Sequence, residues 1–177
     1  SKPQTVYANN ISNKKLLLIT VASIFALFLI VVSVVCFIWL MSADSKIPAT
    51  SEEIWLAIKE HGYEPEDITE TYYKNDPDAV LCLNKCIAFK KSDIEFQFLD
   101  FNNRDSATDF WGTVYQKITI RYNAISKIET EYYVANYRIY TLDSLGKYNV
   151  AIYVGNTAIY AYCNSENKNE INKILAK

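Results

Sequence analysis

Histidine and glycine are scarce in this chain of 177 residues, which contains one histidine, His61, and four glycines. A single histidine disfavours multi-histidine metal sites, and a Ser/His/Asp or Cys/His catalytic centre would have to use it. So few glycines also disfavour Gly-rich phosphate-binding loops. His61 precedes Gly62 at the end of an amphipathic segment, where helix capping explains both residues. We therefore predict no catalytic residue and no nucleotide cofactor.

The chain also lacks a basic domain. It carries 18 lysine and arginine residues against 20 acidic residues, and from residue 42 onward there are 15 basic residues against 20 acidic ones. Nucleic-acid binding depends on clustered positive charge that replaces counterions along the phosphate backbone. We therefore expect no nucleic-acid partner. Half of the residues are apolar, which is enough to build one packed domain and excludes wholesale disorder.

Spacings typical of metal sites are missing as well. Cys82 and Cys86 are separated by three residues, but no second cysteine pair follows, and only Cys163 remains outside the long apolar run. Acidic pairs such as Glu52 and Glu53 fall where helix caps and turns are expected, so they need no catalytic explanation. We expect neither a metal ion nor any other cofactor.

One long apolar run is present. Residues 16–40 contain no charged side chain and read LLLITVASIFALFLIVVSVVCFIWL. A helix of this length crosses a hydrocarbon core of about 30 Å, whereas the apolar part of a cleavable signal peptide has about 7–15 residues. The sequence therefore predicts an uncleaved signal anchor, a transmembrane helix over residues 16–41, and the lipid bilayer as a partner.

The residues beside the run predict its orientation. Lys14 and Lys15 precede it, and positive charge marks the cytoplasmic side of a membrane helix. Trp39 lies where an interfacial aromatic residue would anchor the outer end. We predict a cytoplasmic tail over 1–15, a linker over 42–50 and an extracytoplasmic domain over 51–177.

Helical and strand patterns alternate in the outer part. Ile94, Phe96 and Phe98 alternate with polar residues, as in a strand with one buried face. The predicted elements are a helix after the capping box Thr50–Glu53, a hairpin over 79–89 and 93–101, an amphipathic helix after Asn102–Asn103, strands over 131–141, 147–154 and 157–163, and a final helix near 166–177. Consecutive hairpins predict an α+β domain with a mainly antiparallel sheet and helices packed on one face. An internal α-β-β duplication is an alternative description.

Three segments carry a family resemblance: EHGYEPEDIT, FQFLDFNNRDSATDF and SLGKYNVAIYVGNTAIYAYCNSENKNEINKILAK. They resemble small, uncharacterised membrane-anchored proteins of low-GC Gram-positive bacteria, in which a hydrophobic anchor precedes an α+β domain with a GKYxV…GNTxIYA hairpin. The resemblance covers most of residues 51–177. It implies a location in the cell envelope and a fold, and it supplies no activity and no functional residue.

Tyrosine-rich strands supply a candidate interaction face. If 132–140 is one strand, its even positions include Tyr132, Asn136, Arg138 and Tyr140, which would share a solvent-exposed face. Exposed tyrosines beside Asn and Arg suit contacts with protein or carbohydrate. Tyrosine is also a good strand former on half-buried faces, so packing alone explains the same pattern.

The cysteines leave two alternatives open. Cys82 and Cys86 are too far apart on one strand to pair, so a disulfide would join Cys163 to one of them. The favoured alternative is that all three are buried thiols acting as small apolar residues.

These observations favour a non-enzymatic binding module, anchored in the membrane and meeting another envelope protein or a wall polymer. A first alternative is an accessory subunit that joins a membrane complex through the apolar helix. A second is an envelope hydrolase that uses scattered carboxylates, which would have to converge in a cleft.

Overall fold

The computed structural model describes residues 13–43, 45–122, 127–134 and 136–176, and the side chains in these ranges except those of 13–17, 19, 39–43, 127, 133 and 134. The chain divides into two compact units, Ser1–Ala43 and Asp44–Lys177.

The described part of the first unit is one helix, α1, Asn13–Ala43. Among the described residues, it contains the only stretch long and apolar enough to cross a membrane, Thr20–Ile38. Its large apolar side chains are exposed all around, from Leu18 to Ile38, and the Ser33 hydroxyl donates to the Leu29 carbonyl at 2.6 Å. A hydroxyl bonded within its own helix is compatible with an apolar surrounding.

The predicted anchor over 16–41 therefore lies inside a helix that extends further at both ends. Lys14, Lys15 and Trp39 belong to the helical backbone, but their side chains lie outside the described ones. Their placement at membrane interfaces stays a prediction.

The second unit contains seven strands and four α-helices among its described residues. In chain order these are α2 Ser51–Glu60, β1 Glu66–Asp67, α3 Thr69–Asn75, β2 Leu83–Lys91, β3 Ile94–Phe101, α4 Arg104–Arg121, β4 Lys127–Val134, β5 Tyr137–Ser144, β6 Lys147–Val154, β7 Thr157–Asn164 and α5 Lys168–Leu175. Two 3-10 turns, Pro77–Leu81 and Ser165–Asn167, precede β2 and α5. The first of these replaces the beginning of the strand predicted over 79–89.

The strands form one sheet in the order β1-β2-β3-β7-β6-β5-β4, and all neighbours are antiparallel. Three hairpins, β2–β3, β4–β5 and β6–β7, account for most of it, and β3 pairs with β7 at the centre. The predicted α+β class and antiparallel sheet are confirmed.

The helices cover both faces of the sheet rather than one. Helix α4 packs through Trp111 on one face, while α2 and α5 pack through Ile58 and Ile171 on the other. The cause is that central strands are apolar on both sides: Phe98 and Leu99 are neighbours that point to opposite faces, and both are fully buried. The duplication is unconfirmed, since the helices that follow hairpins β2–β3 and β6–β7 lie on opposite faces.

The capping predictions for α2 and α4 are confirmed. Thr50 and Glu53 form the capping box, with the Glu53 amide donating to the Thr50 hydroxyl at 3.2 Å and the Glu53 carboxylate accepting from the Thr50 amide. These hydrogen bonds lower the pKa of Glu53. Asn103 caps α4 by accepting from the Ser106 amide, and Gly62 follows α2 with φ of 77°.

Part of the predicted linker is packed against the domain. The Asn136 side chain donates to the Lys46 carbonyl at 2.6 Å and accepts from the Lys46 amide at 3.1 Å. Pro48 lies against Gly155, where an added Cβ would come within 2.7 Å of the Pro48 Cγ. Residues 46–48 are therefore held by two turns of the sheet.

The possible disulfide between Cys163 and Cys82 or Cys86 is absent, and all four cysteines of the chain are free thiols. Cys82 and Cys86 pack into the cluster on the α4 face, whereas Cys163 packs into the cluster on the opposite face. The sheet backbone lies between them, so no bridge can form. Burial raises the pKa of Cys86 to about 12 and that of Cys163 to about 11.

Alkylation tests this arrangement. After denaturation without reductant, we expect iodoacetamide to modify all four cysteines, as counted by mass spectrometry. In the folded protein at about pH 8, Cys86 and Cys163 should react much more slowly than the partly exposed Cys82, because buried thiols with raised pKa values hold little thiolate. Two domain cysteines that react only after reduction would contradict the structure.

Candidate functional site

The predicted tyrosine face does not exist as one surface. Residues 131–141 are not one strand, since the chain reverses between Val134, the end of β4, and Tyr137, the start of β5, and these two residues pair. Across this hairpin Tyr132 pairs with Ile139 and Glu131 pairs with Tyr140, and paired residues share a face. Tyr132 therefore lies on the face opposite to Arg138 and Tyr140. A strand pattern read through an unnoticed turn assigns every later residue to the wrong face.

The members of that predicted face have internal contacts. Tyr140 is fully buried, and its ring meets the Tyr115 ring edge-on at 4.7 Å. The Arg138 guanidinium lies 4.7 Å from the Trp111 ring centre and pairs with Glu131 at 3.6 Å. The Asn136 side chain is bonded to the Lys46 backbone. Only Tyr132 is exposed, so packing explains the pattern.

A cleft of about 340 Å³ lies between α4 and the sheet. Its volume is in the range of small-molecule sites, about 300–1,000 Å³. We refer to it as the α4 cleft. Its lining includes Gln97, Asn149 and Tyr160 on β3, β6 and β7, and Phe110, Lys117 and Arg121 on α4.

Helix α4 is fixed above the sheet at one end of this cleft. The Trp111 indole N–H donates to the Ala151 carbonyl of β6 at 3.0 Å, and the Tyr115 ring stacks on Trp111 at 5.0 Å. Trp111 itself is buried. A helix held by a buried hydrogen bond cannot easily settle further onto the sheet, so the space beside it is maintained.

Asn149 lines the cleft from the middle of β6. It pairs with Leu142 on β5 and Tyr162 on β7, so the strand is covered on both edges. Its side chain is on the face of Ala151, which α4 covers, and is only 1% exposed. Neither Oδ1 nor Nδ2 has a hydrogen-bond partner among the described residues.

An amide in this position is costly to the fold. A buried donor or acceptor left without a partner costs about 1–3 kcal/mol, and most buried side-chain polar atoms in proteins are bonded. Tyr162 and Leu142 beside it are aromatic and aliphatic, so nothing in the strand pattern requires asparagine there. Asn149 therefore combines an amide without a partner among the described residues with a position in the lining of the α4 cleft.

Positive charge stands at the mouth of the cleft. Lys117 and Arg121 are one helical turn apart on α4, both are exposed, and neither forms an ion pair with an acidic side chain in the part of the chain that the structure describes. Burial raises the pKa of Tyr160 to about 12; the Glu95 charge adds to this and the Arg121 charge opposes it. The Tyr160 hydroxyl therefore stays protonated at neutral pH.

Sequence reasoning missed this site because its residues come from five separate segments: α3, β3, α4, β6 and β7. The one available signal was Asn149, a polar residue within the apolar run YNVAIYV of β6. Chemically, the α4 cleft offers two carboxamides, phenol hydroxyls, aromatic surface and two cations. Among the described residues, no three histidine, cysteine or acidic side chains converge as a metal site would require; the expected lack of a metal stays a prediction.

Comparison with known proteins yields no family. No protein-family model and no curated protein matches the chain. Among solved structures, the chain is similar to a GTP binding regulator from Thermotoga maritima, with 13% identity, a TM-score of 0.41, and coverage of 71% of this chain and 84% of that one. A likeness at this level carries no argument about function.

Replacing Asn149 tests whether its amide serves the fold. We expect Asn149→Leu to raise the free energy of unfolding by about 1 kcal/mol, because it removes a buried polar group without a partner. The matched control is Asn156→Leu, since the Asn156 amide donates to Asp100 Oδ1 at 3.0 Å and to the Phe101 carbonyl at 2.7 Å. That control should lower stability by about 1–3 kcal/mol. Denaturant titration of both variants measures this, and an equal loss in both would make Asn149 a structural residue.

Proposed function

We propose that the protein is a single-pass membrane protein whose domain outside the cytoplasm is a non-enzymatic binding module with its ligand site in the α4 cleft. The observation that carries the binding role is the Asn149 amide, buried in the cleft wall without a hydrogen-bond partner among the described residues. A fold retains such a group against its cost where a ligand uses it.

The proposed location rests on α1 and its flanking charges. The helix has an uninterrupted apolar surface over Thr20–Ile38, and in water such a surface would be very unfavourable. Lys14 and Lys15 precede this stretch, which favours a cytoplasmic N-terminus. The ligand would then belong to the envelope, as part of another protein or of a wall polymer.

Cysteine labelling tests the location and orientation. In a chain whose Cys36 and Cys82 are replaced by serine, Asn169→Cys places a thiol on the exposed side of α5, and Asn10→Cys places one before α1. A membrane-impermeant maleimide should label the first variant in intact cells and the second only after the membrane is opened. The reverse pattern would place the domain in the cytoplasm and contradict the proposal.

A fragment screen tests the binding role. The full chain in detergent micelles is mixed with small carboxylates, amides, sugars and amines, and NMR follows the backbone amides of Val150 and Tyr160. At least one chemical class should shift these signals, and Asn149→Leu should abolish the shift. If no class shifts them, the α4 cleft is not a ligand site, and the membrane helix becomes the favoured interface for a complex subunit.

A further inference from the structure

We propose that the ligand of the α4 cleft is an acylated amino acid with a free carboxylate, the chemistry found at the C-terminal end of a peptide. This inference rests on the proposed binding function and names the ligand class of the same site. Three features of the cleft lead to it: a buried carboxamide, two cations without an acidic partner among the described side chains, and an aromatic lining.

The carboxamide selects for a peptide-type amide. Asn149 presents an acceptor, Oδ1, and a donor, Nδ2, side by side, and both atoms are buried and without a partner among the described residues. A ligand must supply a donor and an acceptor at matching spacing to satisfy both atoms, and an amide does so. A ligand with only a carboxylate would satisfy Nδ2 and leave Oδ1 facing a negative charge. The inner part of the ligand is therefore an amide.

The two cations, Lys117 and Arg121, favour a negative charge on the outer part of the ligand. From residue 42 onward the chain has five more acidic than basic residues, yet Lys117 and Arg121 stand at the cleft without an acidic partner among the described side chains. Charge-assisted hydrogen bonds to carboxylates are stronger than neutral ones, and arginine can form two in parallel. Arg121 lines the cleft. Its charge lowers the pKa of Tyr160, against the larger effects of burial and of the Glu95 charge, which raise it.

The lining and the small volume of the cleft favour a compact ligand, with little bulk between its amide and its carboxylate. Phe110 from α4 and Tyr160 from β7 provide aromatic surface, and the volume of about 340 Å³ is at the small end for ligand sites. One or two acylated residues with small side chains satisfy all three requirements. The source is either a protein C-terminus, made of L residues, or a wall peptide that ends in D-alanine.

Titration with matched peptides tests the ligand class. The full chain in micelles is titrated with N-acetyl-Ala-Ala in its L,L and D,D forms, with the same peptides as C-terminal amides, and with butyrate, which has the carboxylate alone. We expect one free-acid peptide to bind at least tenfold more tightly than its amide and than butyrate, by calorimetry and by the Val150 and Tyr160 signals. The preferred stereochemistry identifies the source.

Substitutions in the cleft test which residues bind the amide of the ligand and which bind its carboxylate. Asn149→Leu should weaken the free-acid peptide about tenfold or more and weaken butyrate, which lacks the amide, far less. Lys117→Gln with Arg121→Gln should remove the preference for the free acid over the amide. The matched control is Lys173→Gln on α5, a cation paired with Glu170 on the other side of the sheet, which should change nothing.

The possible failures are distinguishable. Equal binding of free acids and amides, or of peptides and butyrate, would overturn the proposed ligand class. If none of these probes binds while another class in the fragment screen shifts Val150 and Tyr160, the class is wrong and the binding role stands. If neither experiment gives a shift, both proposals fall.

Discussion

The domain depends on the burial of both faces of its central strands. Phe98 and Leu99 are adjacent on β3, point to opposite sides and are both fully buried. A sheet that is apolar on both sides needs a cover on each, and the chain supplies α4 on one side and α2 with α5 on the other. This requirement separates Cys86 from Cys163 and gives each layer its own hydrophobic cluster.

The same requirement creates the α4 cleft. One helix of 18 residues has to cover strands β3, β7 and β6, and its contact with the sheet is fixed at Trp111 by the hydrogen bond to Ala151. Beyond this point the side chains of α4 and the sheet do not fill the space between them. Asn149 lies in the wall of that space, where an apolar residue would have served packing better. In a sequence that otherwise agrees with its fold, a polar residue of this kind is typical of functional or strained positions.

Local chemistry made much of the fold predictable. The uncharged run at 16–40, the capping box Thr50–Glu53 and the alternation of Ile94, Phe96 and Phe98 each depend on neighbours within a few residues, and each is found as predicted. The single strand predicted over 131–141 was wrong, because the sequence between β4 and β5 contains no glycine or proline to mark the reversal of the chain. Arg138 and Tyr140 on β5 therefore lie on the face opposite to Tyr132, and the predicted interaction face does not form.

Composition and short-range periodicity are enough to predict the apolar helix, the α+β class, the antiparallel hairpins and the acidic character of the residues after 41. Three features depend instead on how distant segments pack: the face that each helix covers, the position of Cys86 and Cys163 on opposite sides of the sheet, and the lack of a partner for the Asn149 amide among the described residues. The physical reason is that a hydrogen bond or a contact across the sheet joins residues far apart in the chain. Whether a polar group is satisfied depends on all of its neighbours in space.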